Sequence, residues 1–447
     1  MFRNSFSGLL SHIRYSAEPY FYAPFTFVKR VLFCNNKHDY NRVLFFNRWG
    51  FIPQKLVEKV SGKKTIWIDA LSGGEVTQIV TFCKLLKESL PGLNIILSTN
   101  NDYSMKFAKR NIEGLDYVFD SPWDLKWVVK RVLKKIKPQL VIFVEGAYLP
   151  ILVKQARRMN IKTILVSALM RDKWLLHNHY FYRRYFFLNP FKNLDYILVK
   201  SKLDYECLIR AGINKEKIFI TGNLKFDTQF LSVSENEVRQ LKNDLQIKES
   251  EFILVAGSIH SQEEKLIIET YHLLKQKNIK VRLIIVPRYN HFIPNIIKAL
   301  NFYNYPYILR SKILKKDIKP EEVIIVDTFG ELMYLYALST MIVVGGSFVL
   351  RNPCGFGQNI IEPLLHFKPI FFGPHMEQFR EITDRLLAVW CGLETRNASE
   401  LSENIIHLLS NSSLRQNIVS TMKEIILENS ESITKNVDFI KDEAYRN

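Results

Sequence analysis

The chain has 447 residues and a formal net charge of +18, with 47% hydrophobic and 24% charged residues. That composition excludes global disorder, and the length admits two or three domains whose cores need neither disulfides nor metals. The charge, together with 31 Phe and 20 Tyr, calls for a polyanionic partner: nucleic acid or an anionic membrane surface.

The first 60 residues carry nine Lys/Arg against three Asp/Glu, interleaved with Phe and Tyr. No stretch approaches the roughly 20 apolar residues of a spanning helix, and no secretory h-region is present. Residues 1–60 therefore read as a basic aromatic arm, lying on an anionic surface or packed irregularly on the next domain. Cys34, Cys83, Cys207, Cys354 and Cys391 form no CxxC pair. They read as small core fillers in a reduced compartment, with no metal site.

From residue 65 short β-branched runs alternate with helical patterns. TIWIDAL (65–71) reads as a buried strand and EVTQIVTFCKLLKESL (75–90) as one helix, with Val76, Ile79, Val80, Cys83 and Leu86 at helical spacing. NIILST (94–99), LVIFVE (140–145), KTILVSA (162–168) and DYILVKS (195–201) continue the series. Residues 171–192 hold eight aromatics and five Lys/Arg against one Asp, suited to a lipid headgroup interface or to a packed crossover. TGNLKFDTQFLSVSENE (221–237) breaks the rhythm and reads as a linker. EFILVAGS (251–258), KVRLIIVP (280–287), EVIIVDT (322–328), MIVVGGS (341–347) and KPIFFGP (368–374) restart it, and 398–445 is helical. Apolar strands separated by helices imply parallel sheets covered on both faces. The expected architecture is α/β: two doubly wound Rossmann-like domains, 61–228 and 229–447, the second including the terminal helices, with a cleft between them.

Ligands in such sheets bind beyond the carboxyl ends of the strands, so the loops there are the candidates. Ser72, Gly73 and Gly74 make a strand-to-helix turn that places Glu75 on the first helical turn. Glu75 there either complements the helix dipole or acts as a general base. The other strand ends present Glu145; Gly257, Ser258 and His260; Arg288; Thr328, Gly330 and Glu331; and Gly346 and Ser347. Glycine turns before a helix can receive phosphate, and Arg288 is either an anion clamp or a surface residue. GFGQNIIEP (355–363) leads into a helix starting near Gln358, with Asn359 at its start and Glu362 four residues into it, and His375 completes the set on a later loop.

Several stretches resemble the 3-deoxy-D-manno-octulosonic acid (Kdo) transferases, which have the GT-B glycosyltransferase fold. The similar segments are WIDALSGGEV (67–76), VEGAYLP (144–150), GNLKFD (222–227), AGSIHSQEE (256–264), VPR (286–288), DTFGEL (327–332), YALSTMIVVGGSFV (336–349), GQNIIEP (357–363) and FGPHMEQFREI (372–382). The resemblance implies that the first domain binds a phosphorylated lipid A precursor and the second binds CMP-Kdo. Transfer would invert the anomeric centre without a catalytic metal, with Glu75 as base. Ser72, Gly73, Gly74, Glu145 and Arg171 would line the acceptor side. Gly257, Ser258, His260, Arg288, Thr328, Gly330, Glu331, Gly346, Ser347, Asn359, Glu362 and His375 would line the donor side. It also implies a peripheral location on the cytoplasmic face of a bacterial inner membrane, with that surface and not nucleic acid as partner. Three donor-loop positions depart from the family pattern: Ile259 for Thr, Tyr289 for His and Gln358 for His. They leave room for another nucleotide sugar or acceptor. A basic nucleic-acid-binding protein is the non-enzymatic alternative, though no recognisable nucleic-acid motif is present.

Overall fold

The computed structural model describes residues 47–100, 102–146, 149–169, 190–226, 233–248, 251–315, 318–350 and 357–445. Arg171, residues 171–189 of the aromatic-basic stretch and residues 1–46 of the arm lie outside the described residues. The chain divides into two compact units, Met1–Asp227 with Glu431–Asn447, and Thr228–Ser430.

The first unit holds β1 (Thr65–Asp69), β2 (Asn94–Thr99), β3 (Tyr117–Asp120), β4 (Leu140–Val144), β5 (Lys162–Ala168), β6 (Tyr196–Val199) and β7 (Ile218–Ile220). Their order in the sheet is β3-β2-β1-β4-β5-β6-β7, and every pairing is parallel. Strand side chains alternate between faces. Trp67 joins a core cluster with Val128 and Leu152, while Ile66 and Ile68 join the opposite one with Phe82 and Ile440. The sheet order reverses between β1 and β4, so the loops carrying Glu75 and Glu145 diverge at the topological switch point.

The second unit repeats the plan with β8 (Phe252–Ile259), β9 (Val281–Pro287), β10 (Tyr307–Leu309), β11 (Val323–Ile325), β12 (Met341–Val344) and β13 (Ile370–Phe372). Their order is β10-β11-β9-β8-β12-β13, again all parallel. Its switch point lies between β8 and β12, at the loops after Ile259 and Val344.

Four features differ from the sequence reading. The helix expected over 75–90 is two, Gly73–Thr77 and Val80–Ser89. The break lets the first turn sit at the strand edge while Phe82, Cys83 and Leu86 pack into the core. Residues 221–226 are part of the first unit rather than a linker. Of the cysteines described, Cys83 and Cys207 are buried but Cys391 is exposed.

Fourth, the last helix, Ser432–Tyr445, belongs to the first unit and not to the second. It packs on the helix Val80–Ser89, and Lys162 Nζ meets Glu443 Oε2 at 2.8 Å. Thr221 Oγ1 donates to Asn436 Oδ1 at 3.1 Å. Gly222 has φ +90°, and a Cβ built there would lie 2.1 Å from Ser432 Oγ. Only glycine admits both that backbone and that approach. Gly222→Ala is expected to lower the unfolding free energy by at least about 2 kcal/mol, from strain and overpacking together. Ser432→Gly should recover part of that loss in the double variant, measured by urea denaturation of the full chain.

Candidate active site

In the first unit, β1 ends at Asp69 and the chain turns through Leu71 into Ser72, the N-cap of the helix Gly73–Thr77. Ser72 Oγ accepts from the Glu75 amide at 3.2 Å. Glu75 Oε2 in return accepts from the amides of Leu71 at 2.6 Å and Ser72 at 3.4 Å. This is a capping box, which satisfies amides that a helix start leaves unpaired. The structural and the catalytic readings of Glu75 thus describe the same side chain. One carboxylate oxygen holds the turn, and Oε1 accepts no hydrogen bond among the described residues. Glu75 is 6% exposed. Burial, then the charge of Glu145 and more weakly that of Asp69, pushes its carboxyl up to about 8, against the lowering effect of the two amides.

Glu145 leaves β4 with φ +59°. Its Oε1 meets Lys200 Nζ at 2.8 Å and Lys225 Nζ at 2.6 Å. Burial alone would raise its pKa, but the two ammonium groups outweigh it and hold the carboxyl far below the ordinary range. The result is a permanent carboxylate beside a protonatable one. Lys200 and Lys225 escaped the sequence reading as site residues, although GNLKFD contains Lys225. Asp69 was missed as well. Its Oδ1 accepts from Ser98 Oγ at 2.5 Å and from Ser121 Oγ at 2.9 Å, while burial pushes its carboxyl up to about 6. Gly73 lies close to Ser104 and Tyr103, where a Cβ would make ordinary contacts, and Gly74 has open space around it.

In the second unit one missed residue organises the loops. Glu263 is fully buried, three residues after His260 on the first turn of the helix Glu263–Gln276. Its Oε2 accepts from the amides of His260 at 3.0 Å and Gly346 at 2.7 Å, and its Oε1 from Phe348 at 3.1 Å. The switch-point loops are therefore tied through one carboxylate. A Cβ on Gly346 would meet Gln358 Cγ at 2.7 Å and His260 Cδ2 at 3.2 Å, so three loops converge there. Gln358 Nε2 lies 3.1 Å from His260 Nε2.

This geometry reassigns several expected donor contacts. The Gly346 amide is committed to Glu263 rather than open to a phosphate. Ser347 is completely buried; its Oγ donates to Val344 O at 2.6 Å and accepts from the Gly373 amide at 2.9 Å. Glu331 is occupied by Arg310 at 2.8 Å and by the Thr328 hydroxyl. Thr328 and Glu331 thus brace their loop, with Gly330 at φ +89° between them. Gly257 is required because a Cβ there would sit 2.0 Å from Tyr336 Oη, and Ser258 follows at φ +55°. Ile259 is buried, so its departure from the family pattern removes no outward-facing hydroxyl.

What stays open to a ligand is a smaller group. Arg288 is exposed, makes no ion pair among the described residues, and lies 5.7 Å from the centre of the Tyr289 ring. Tyr289 stacks on His291 at 5.4 Å; both rings border Phe292, and Tyr289 also borders His260. Asn359 Oδ1 accepts from the Ile361 amide at 3.1 Å, and its Nδ2 donates to Glu362 Oε1 at 3.1 Å. The helix begins at Ile361, later than the sequence reading placed it, so Glu362 stands in its first turn. The His375 amide donates to Ser347 O at 3.0 Å, which brings the 373–376 loop to the same edge. Among the described residues, no group of three or more His, Cys, Asp or Glu is arranged to hold a metal ion.

Two doubly wound sheets, each with its polar loops at the strand carboxyl ends, define a GT-B-type glycosyltransferase architecture. A glycosyltransferase from Rickettsia africae shares this fold, with a TM-score of 0.59 at 16% identity over 86% of this chain and 100% of that one. Residues 44–228 match the family model described as 3-deoxy-D-manno-octulosonic-acid transferase (kdotransferase). A 3-deoxy-D-manno-octulosonic acid transferase of Haemophilus influenzae is 26% identical over 404 residues, 90% of this chain and 91% of that protein. A bifunctional glycosyltransferase/methyltransferase of Fusobacterium nucleatum is 28% identical over 361 residues, 79% of this chain. The chain spans only about half of that protein, 54% of its length. The chain thus resembles 3-deoxy-D-manno-octulosonic acid transferases along most of its length and matches their family model over its first unit.

Glu263→Ala would leave three amides without an acceptor, one buried and two part-buried, at up to about 1–3 kcal/mol each. A stability loss of at least about 2 kcal/mol is expected by denaturant titration, with Glu263→Gln losing less because its carbonyl still accepts. For Glu75 the sign is opposite. Its folded pKa lies at about 8, above the ordinary 4.5, so the folded state keeps a proton that the unfolded chain has released. Stability is favoured at pH below that ordinary value and declines as pH rises through the raised one. Glu75→Gln retains the capping acceptor and removes this dependence. Its melting temperature should gain on wild type across that window and run parallel to it above.

Proposed function

We infer that this enzyme moves Kdo from CMP-Kdo onto a phosphorylated lipid A precursor, as a step of lipopolysaccharide assembly at the cytoplasmic face of a bacterial inner membrane. The observation that carries the reading is Glu75. Its carboxylate is fixed through one oxygen and offers the other, at a pKa suited to taking a proton near neutral pH. The Haemophilus influenzae relative is named for the same sugar.

In this mechanism the acceptor hydroxyl lies against Glu75 Oε1. Its oxygen attacks the anomeric carbon of Kdo while its proton passes to Glu75. The bond from that carbon to the CMP phosphate oxygen breaks, and CMP leaves with the electron pair, so the anomeric centre inverts. CMP is a good leaving group, and no metal takes part in this scheme. Arg288 supplies positive charge toward the donor's anionic groups, and His260 and Asn359 supply polar contacts. Glu145, locked between Lys200 and Lys225, keeps the Glu75 carboxyl basic. The partner surface is an anionic membrane rather than nucleic acid.

The Tyr289–His291 stack and the Gln358–His260 contact stand where the family pattern differs, and they favour one second reading, a different nucleotide sugar. Calorimetry with CMP, UDP and GDP separates the two, and a preference for UDP or GDP would remove Kdo as the cargo. Glu75→Ala is expected to slow transfer by about 10²–10⁴-fold in an assay with a CMP-Kdo generating system and a tetraacyl lipid A precursor. A loss below about tenfold would sink the base assignment. Because the base must be ionised, wild-type kcat/KM should rise with pH and level off above about 8.

A further inference from the structure

The loop after β3 leads into the helix Lys126–Ile136, whose sequence KWVVKRVLKKI contains no acid. Val128, Val129, Val132, Leu133 and Ile136 are buried in the core of the first unit, so the helix cannot roll. The other face points outward, with Lys126, Lys130, Lys134 and Lys135 exposed and Arg131 half-buried. None of these five cations makes an ion pair among the described residues.

Aromatic side chains sit at one end of this row. Trp127 is 48% exposed and Phe51 is 52% exposed. The Arg131 guanidinium covers both rings, at 5.3 Å and 5.0 Å from their centres, and Trp49 stacks on Trp127 at 5.5 Å. The aromatic end is the helix start, at the carboxyl-end edge of the sheet that also carries Glu75. The Trp123 amide donates to Arg48 O at 2.8 Å, and Arg48 reaches Asn100 Oδ1, just past β2, at 2.7 Å. Such a face is poorly matched to another globular protein. Exposed rings settle at the headgroup level of a bilayer, and unpaired lysines are drawn to anionic lipid at about 1 kcal/mol each.

We propose that the outer face of the helix Lys126–Ile136, with Trp127 and Phe51, is the surface by which this protein docks on a bilayer of anionic lipids. It rests on the membrane-lipid acceptor reading above, and adds the face that brings Glu75 to that lipid. The surface is built from described residues.

The test is sedimentation of the full chain with vesicles of phosphatidylethanolamine and phosphatidylglycerol, and with pure phosphatidylcholine vesicles. Wild type should bind the anionic vesicles, with binding weakened by salt, and bind phosphatidylcholine far less. Lys130→Glu/Lys134→Glu/Lys135→Glu should bind the anionic vesicles at least about tenfold more weakly. The same charge change in the second unit, Lys277→Glu/Lys280→Glu/Lys298→Glu, should cost less than about twofold. Trp127→Ser should weaken binding severalfold while leaving the salt dependence in place. Equal losses in the two triple variants would overturn the proposal, because net charge alone would then explain binding. So would vesicle binding that survives the first triple variant while RNA binding is lost. Urea midpoints within experimental error of wild type show that the variants fold. Transfer onto a detergent-dispersed acceptor keeps the two readings apart. If wild type lacks that activity, the acceptor reading fails while the vesicle result still decides the docking face.

Discussion

A parallel sheet gathers its loops at one edge, and every loop amide there needs an acceptor or water. Both units meet that demand in the same way. After the first strand of each, a glutamate on the opening turn of the next helix reaches back to the loop: Glu75 to Leu71 and Ser72, Glu263 to His260. The positions correspond, but the accounting of oxygens differs. Glu263 spends both on three amides from two loops and is completely enclosed. Glu75 spends one, and the other remains for a proton. The same local device ties two loops together in one sheet and leaves a protonatable oxygen in the other, decided by how many amides converge on it.

That distinction explains why the site was only partly legible in the sequence. Strands such as NIILST and KTILVSA announce themselves because buried parallel strands are continuously apolar, and they match β2 and β5 residue for residue. The missed strands β3, β7 and β10 have only three or four residues, too short for a run to stand out, and β3, β7 and β10 all lie at sheet edges. Glu75 was legible because Ser72 and the two glycines mark a helix start. Glu263 was written in the same grammar but followed a Gln N-cap in a left-handed conformation, which carries no capping signal.

Long-range pairings were beyond the sequence altogether. Lys200 and Lys225 meet Glu145 from the ends of different strands, and only the closing of the sheet brings them together. The docking of the last helix on the first unit left a single trace, Gly222, whose missing side chain makes room for Ser432. Departures from the family pattern also changed meaning once placed. Ile259 is buried in the core, whereas Tyr289 and Gln358 lie among the more open residues at the carboxyl edge of the second sheet.

The net charge of +18 is likewise two different things in the folded chain. Lys200 and Lys225 are drawn inward, and desolvation lowers the Lys200 pKa even against the pull of Glu145. Their charge is consumed in fixing one carboxylate, and through it in setting the proton affinity of Glu75. The lysines of the helix Lys126–Ile136 have no such partner among the described residues, so their interaction is long-ranged and governed by salt. A buried cation pair acts on one atom a few ångströms away, while an exposed row acts on a surface. Charge reversal on the exposed row should therefore leave the proton affinity of Glu75 unchanged, because solvent and salt screen that row from the buried cluster.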